Sequence, residues 1–413
     1  MPHRLERDLV DPQTYRLVRT DEYLWREARA LGVSRRRLLG LAAASAGLAA
    51  GLGLRPSRAA AGEAASPVVK AAPPELFNRY GSNLEMRWEQ MYGRGYVVPN
   101  GLFFVRNHTK TPQIEAGTWT LTVDGSGVSK PLTLTYNDLL KLPSVSVVRY
   151  VECAGNGRSF FEQAYGKRAQ GTQWKLGAVG VAEWTGVRLS EILDRAGVKP
   201  TARDVMPAGL DDLKVRRPMP IAKAMADDTL VVYAMNGETL PPDHGFPARL
   251  LAPGWIGVQN VKWLGRIEVS DEPLFSPWNT DSYVLIGPDY QAQPPSKGPV
   301  LTSQNVKSAL EFAWDARVPA GRYVLTGRAW APARIAKVEV SVDGGPWQIA
   351  SLGEPNIAGA WVRFRFDWDA RPGRHAIRLR ATDEAGNTQP ERVPWNDQGY
   401  LYNGVVEHPI TVT

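Results

Sequence analysis

Cysteine occurs once in the 413 residues, at Cys153. A single thiol excludes an intrachain disulfide, a Cys-x-x-Cys redox pair, a Cys-x-x-Cys-His haem attachment site and a multi-cysteine zinc site. Long apolar runs are nearly as scarce. Only residues 38–54 form one, about 17 residues rich in Ala and Gly, short of the ~20 that a membrane-spanning helix needs. Clustered basic charge is also missing from the body of the chain. The net charge is +7, but residues 1–58 hold 11 Arg and no Lys against 6 acidic groups, leaving 38 basic and 36 acidic groups elsewhere. A nucleic-acid surface needs Lys and Arg gathered on the folded part, so no nucleic-acid partner is expected. With 43% hydrophobic and 22% charged residues, disorder and collagen-like repeats are excluded as well.

The one cysteine stands in Arg149-Tyr150-Val151-Glu152-Cys153-Ala154-Gly155-Asn156-Gly157-Arg158, at the end of a valine-rich, strand-like run. Three fates are open to it: a small buried hydrophobe, a reactive thiolate, or one ligand to a metal held mostly by something other than protein. The strand opens into small residues and ends on an arginine. Close backbone N–H groups and a fixed cation favour thiolate over thiol.

The chain is long enough for two domains behind a leader. Ser34-Arg35-Arg36-Arg37-Leu38-Leu39, the apolar stretch behind it and Ala59-Ala60-Ala61 resemble a twin-arginine export signal over residues 1–61,. That predicts a periplasmic or otherwise extracytoplasmic protein, exported already folded. Residues 62–72 read as a flexible linker. Residues 73–300 mix strands and short helices, an α+β pattern. Residues 119–123 alternate with period two, Thr135 is placed to cap a short helix, 145–151 and 230–234 are strands, and Asn236-Gly237 is a turn pair. Residues 301–413 are nearly all strand, with alternation over 338–342, 361–368 and 375–383, which predicts a β-sandwich.

Three segments in order carry a resemblance that extends from residue 73 to the C-terminus. They are Phe103-Phe104-Val105-Arg106-Asn107-His108, then Glu152-Cys153-Ala154-Gly155-Asn156-Gly157-Arg158. The third runs from Tyr233-Ala234-Met235-Asn236-Gly237-Glu238 through Pro242-Asp243-His244-Gly245-Phe246-Pro247-Ala248-Arg249 to Pro253-Gly254-Trp255-Ile256-Gly257-Val258-Gln259-Asn260-Val261-Lys262-Trp263-Leu264-Gly265. Together they resemble the sulfite oxidase family. The resemblance implies a molybdopterin-binding domain over 73–300 and an immunoglobulin-like dimerisation domain over 301–413. Its cofactor is molybdenum on a pterin dithiolene, with Cys153 as the protein thiolate that joins two dithiolene sulfurs. Phe104, Arg106, His108, Asp211, His244, Arg249, Asn260 and Lys262 fall at pterin-contacting positions, with Asp212 an equal candidate to Asp211. Arg106, Arg158, Trp174 and Tyr283 fall at the substrate pocket.

Two positions depart from the family pattern. Gly157 stands where some members carry a second arginine, and Gln398 where eukaryotic members place a pocket arginine. The resemblance implies oxidation of sulfite to sulfate, with electrons leaving one at a time to an external cytochrome c-like acceptor, since one cysteine leaves no place for a c-type haem in this chain. It also implies a homodimer through the C-terminal domain. Fewer cations imply either weaker sulfite binding or a different sulfur substrate, and the sulfane dehydrogenase component of a thiosulfate-oxidising complex, which shares the fold and cofactor, is the close rival. A molybdenum-dependent methionine sulfoxide reductase is disfavoured by the β-rich second domain, and a cell-surface binding protein by the intact Cys153, Arg106 and Arg158.

Overall fold

A computed structural model of the protein describes residues 67–413; the arginine run and apolar stretch of the leader lie outside the described residues. The valine-rich run forms the strand Ser144–Glu152, which pairs antiparallel with Val179–Arg188 from Ser144↔Val187 to Glu152↔Val179. Val179–Arg188 pairs in turn with Leu230–Met235. There the chain reverses through Asn236 and Gly237, both at positive φ (54° and 76°), into Glu238–Thr239. Asn-Gly suits that reversal because Gly, and more weakly Asn, tolerate the left-handed backbone. Arg249–Leu251 pairs with the same edge of Leu230–Met235 as Glu238–Thr239, opposite Val179–Arg188.

A second sheet runs in the order Leu132–Thr135, Thr120–Asp124, Leu264–Ser270, Asp204–Gly209, Met219–Pro220, with only the Thr120–Asp124 and Leu264–Ser270 pair parallel. Between the sheets lies a core that includes Leu121, Val123, Val187, Val231, Leu250 and Ile267. Helices are short; the longest among the described residues is the seven-residue Leu189–Arg195. The helix Tyr136–Lys141 begins as its sequence predicts: Thr135 Oγ1 accepts from the Asp138 amide, and the Asp138 carboxylate accepts from the Thr135 amide,. No helix of the described residues is long and apolar enough to cross a membrane.

The C-terminal part is the expected sandwich. One sheet orders Lys307–Leu310, Gly321–Trp330, Trp361–Ala370 and Ser351–Leu352. The other orders Ala316–Val318, Glu407–Val412, Gly373–Asp383, Ile335–Val342 and Gln348–Ile349. Inward residues such as Leu325, Val338, Val362, Phe364, Ile377 and Ile410 fill the space between them,. The fold is thus α+β followed by an all-β sandwich. The sandwich also joins the core of the first part: Trp330 and Trp361 are fully buried in one cluster with Leu84, Met86, Trp88, Phe103 and Trp184. Trp361 Nε1 donates to the Tyr96 carbonyl at 2.8 Å.

Residues 67–70, the second half of the stretch read as a flexible linker, are docked instead. Val68 is buried, and the amides of Val69 and Lys70 donate to the Asp243 carboxylate at 3.0 and 2.8 Å. An apolar side chain with a burial site and two amides with a buried acceptor override the Ala/Ser/Pro composition that suggested mobility.

Candidate active site

Cys153 is the first residue past the Ser144–Glu152 strand. Its amide donates to the Ala178 carbonyl at 2.9 Å, while its own carbonyl accepts from Asn156 at 2.9 Å. The thiol lines a cavity whose empty space, open mouth included, is about 710 Å³. Opposite stands the turn Gly257–Gln259. A Cβ on Gly257 would lie 2.6 Å from the Glu152 carbonyl oxygen and 3.2 Å from the Cys153 Cα. Only glycine lets these two segments approach so closely.

Phe104, Arg106, His108, Cys153, Asp211, His244, Arg249, Asn260, Lys262 and Tyr283 all line this one cavity. They come from segments far apart in the chain, among them the loop over 103–108, the residue after the Ser144–Glu152 strand, the start of the Arg249–Leu251 strand and the stretch that follows Gly257–Gln259. Asp211 is buried and lines the cavity, whereas Asp212 is exposed. The Asp211 carboxylate accepts from the Val215 amide at 3.0 Å and caps its own loop.

Positive charge in this cavity exceeds negative charge. Arg249 is buried, donating to the carbonyls of His244 and Asn260 at 3.0 Å each, and burial lowers its pKa to about 9. Lys262 donates to the Asp243 carbonyl at 2.7 Å and to Asn107 Oδ1. Burial, then the neighbouring Arg249, pulls the Lys262 pKa well down,. Arg106 donates to the Asn107 carbonyl. Asp211 is the one carboxylate among the lining residues, and burial pushes its pKa up. Two imidazoles complete the wall. His108 Nε2 lies 3.1 Å from the Tyr283 hydroxyl, and burial with Arg106 and Lys262 nearby lowers its pKa to about 2. His244 Nε2 is buried with no partner. Tyr283 has a pKa raised by burial, and it and Trp263 hold left-handed backbone, φ 57° and 52°. Such strain in bulky residues persists only where surrounding structure enforces it.

Two residues assigned to the substrate pocket stand outside the lining. Arg158 donates through Nε to the Gln398 carbonyl at 2.8 Å and through Nη1 to the Thr172 carbonyl at 2.7 Å, 5.3 Å from the Tyr400 ring centre. Tyr400 stacks on Tyr283 at 5.0 Å, so Arg158 reaches the cavity wall through a second ring. Trp174 is fully buried edge-on to Tyr80, and its indole N–H has no partner. The departures also gain a physical setting. Gly157 has φ +88°, and a Cβ there would lie 3.2 Å from the Tyr402 carbonyl, so this backbone disfavours arginine. Gln398 donates to the Asp281 carbonyl at 3.0 Å and leaves its buried Oε1 unpaired.

Sequence reasoning missed Asn107, Asp243 and Arg217. Asn107 and Asp243 hold Lys262, although both lie inside the quoted segments. Arg217 is buried 5.7 Å from the Tyr283 ring centre, donates to the carbonyls of Trp278 and Leu301, and leaves Nε unpaired. Nothing in Val215-Arg216-Arg217-Pro218 separates it from a surface arginine.

Comparison with known proteins accords with this arrangement. Residues 108–278 match the model of the oxidoreductase molybdopterin binding domain, and residues 300–412 that of the Mo-co oxidoreductase dimerisation domain. Sulfite oxidase of Gallus gallus is 33% identical over 335 residues, 76% of this chain and 72% of that protein. The chain belongs to the sulfite oxidase family. Human mitochondrial sulfite oxidase is 34% identical over 336 residues, 76% of this chain, and the chain spans 61% of that relative's length. The solved sulfane dehydrogenase SoxCD from Paracoccus pantotrophus superposes with TM-score 0.72 at 29% identity, covering 86% of this chain and 94% of that one.

The family's molybdopterin cofactor fits the residues present. A pterin phosphate is an anion, and the cavity offers Arg249, Lys262 and Arg106 with little negative charge to balance them,. The unpaired His244 Nε2 is a buried polar atom awaiting a partner,. Among the described residues no group of three or more His, Cys, Asp or Glu could hold a metal ion. Cys153 would be the protein residue that holds the cofactor's molybdenum, which would supply redox chemistry there.

Proposed function

We propose that this member of the sulfite oxidase family oxidises sulfite to sulfate, SO₃²⁻ + H₂O → SO₄²⁻ + 2H⁺ + 2e⁻, and passes the electrons singly to an external acceptor such as a cytochrome c. The observation that carries the reading is the surplus of buried cations around a single thiol. Bound there, the molybdenum centre supplies the two-electron redox chemistry. The chain's own residues hold and screen. Cys153 would be the protein ligand. Arg249, Lys262 and His244 would hold the pterin and its phosphate, Asp211 would accept from the ring, and Asn260 would keep the Ala252–Asn260 loop closed through its 2.8 Å bond from the Ala252 amide.

A dianionic substrate is drawn in by fixed cations in a low-dielectric site. Arg106 lies at the cavity wall, and Arg158 acts behind Tyr400. Tyr283 Oη and His108 Nε2, 3.1 Å apart in the cavity wall, would form a hydrogen-bonded path for the protons the reaction releases. The leader over 1–61 is consistent with export of the folded, loaded protein, and the C-terminal domain with a homodimer.

A second reading has an observation in its favour. The likeness to the sulfane dehydrogenase spans nearly all of that chain, and Gly157 and Gln398 subtract cations that would bind free sulfite. The test is sulfite-dependent reduction of cytochrome c or ferricyanide by protein from a molybdenum-replete, export-competent host, with metal analysis on the same sample. Turnover with about one molybdenum per chain supports sulfite oxidation. Molybdenum without sulfite turnover moves the substrate to a carrier-bound sulfane. No molybdenum overturns both.

A further inference from the structure

Glu152, the residue before Cys153, is a fully buried carboxylate with one local partner, Asn156, and two from the other half of the chain, Lys307 and Trp330. Its Oε1 accepts from Lys307 Nζ at 2.7 Å and from Asn156 Nδ2 at 2.9 Å; its Oε2 accepts from Trp330 Nε1 at 3.0 Å. Its backbone carbonyl accepts from Gln304 Nε2 at 2.7 Å. Lys307 Nζ also donates to the Asn156 carbonyl at 3.3 Å. Asn156 in turn accepts from the Ala178 amide at 3.1 Å, and Ala178 holds the Cys153 amide. Lys307 and Trp330 lie on adjacent strands of the C-terminal sandwich, directly paired to each other.

A buried ion pair seldom survives for stability alone, because desolvating both charges offsets their attraction. This one clamps the segment carrying the candidate metal ligand on both sides, Glu152 before it and Asn156 after it. We infer that Glu152 and Lys307 are a positioning pair through which the C-terminal domain fixes the direction of the Cys153 thiolate. The inference rests on Cys153 being the molybdenum ligand. The sandwich is then part of the apparatus of the active site as well as a candidate dimer surface.

The control is built into the same fold. Arg328 and Glu311 form another buried ion pair on the sandwich, and Arg328 also donates to the carbonyls of Gly95 and Tyr96 at 3.1 and 3.2 Å. That pair joins the two halves without touching the cysteine segment. The experiment compares wild type, Lys307→Met and Arg328→Met as purified holoenzymes. The readouts are molybdenum content, thermal midpoint, the visible thiolate-to-molybdenum absorption band and the electron paramagnetic resonance signal of half-reduced molybdenum.

Both variants should melt lower than wild type. Only Lys307→Met should shift the absorption band and the resonance parameters, with at least a tenfold loss of turnover. Lys307→Gln keeps a neutral donor to Glu152 and takes the place of the methionine variant if that fails to accumulate; it should shift the spectra in the same direction. Unchanged spectra in the folded Lys307 variant, or an equal shift in Arg328→Met, would overturn the inference. Absence of molybdenum from wild type would instead overturn the cofactor assignment beneath it.

Discussion

At the scale of single residues, the site is a set of charges kept where they are costly. Lys70, outside the cavity lining, shows the same cost. Its ammonium donates to the carbonyls of Asn100 and Phe103, and burial lowers its pKa to about 7 despite the opposing pull of Asp243. Between pH 7 and the ordinary lysine value of about 10.5, the unfolded chain holds a proton that the folded chain has released. Stability therefore rises with pH across that window and is lost as pH falls towards 7. Lys70→Met should flatten the rise, measured as the difference in urea midpoint between pH 7 and pH 9.5 for variant and wild type; an equal rise in both would refute it. Cys153→Ser should abolish molybdenum-dependent oxidation while circular dichroism and the thermal midpoint stay close to wild type. Full activity in that variant would remove the central assignment.

Elements matter here mainly for where they end. The strand Ser144–Glu152 delivers Cys153 to the cavity, and the Gly257–Gln259 turn closes against it with no room for a side chain. Gly257→Ala should cost about 1–3 kcal/mol, the usual range for overpacking, and should lower molybdenum content by displacing the cavity wall; chemical denaturation and metal analysis read the two effects. Thr135→Ala, by contrast, removes an exposed capping box whose residues do not line the cavity. It should cost about 1 kcal/mol and leave activity per folded molecule unchanged, and a change in KM for sulfite would show the cap to matter for more than its helix. Local features of this kind were legible in the chain. Thr135 followed by Asp138, the alternation over Thr120–Asp124 and Asn236-Gly237 each act over a few residues, so the sequence pattern contains the whole cause. The docking of residues 67–70 was not legible, because its cause is Asp243, far along the chain.

For the whole molecule, the decisive feature is that the two halves share one core. Trp330 and Trp361 are buried against Trp88 and Phe103's cluster, and Gln304, Lys307 and Trp330 grip Glu152. A chain truncated after Val300 would uncover those surfaces and leave a buried carboxylate without its cation beside Cys153. It should fail to retain molybdenum and should aggregate or be degraded, as metal analysis and size-exclusion chromatography would show. A soluble, molybdenum-loaded truncation would mean that the first half stands alone.

By itself the sequence determined the kind of chemistry. A lone cysteine in its Gly-Asn-Gly-Arg setting, and two further segments in fixed order, are enough to specify the family, the cofactor and most of the residues that line the cavity beside Cys153, because residue identities decide which atoms are available. Tertiary structure decided how those atoms are used. It brought Asp211 and not Asp212 to the cavity lining, set Arg158 and Trp174 behind that lining, and paired Asn107 with Lys262 and Glu152 with Lys307. Those choices join positions some 155 residues apart, where no local pattern carries the information and only the packing of two sheets and a sandwich brings a charge to its partner.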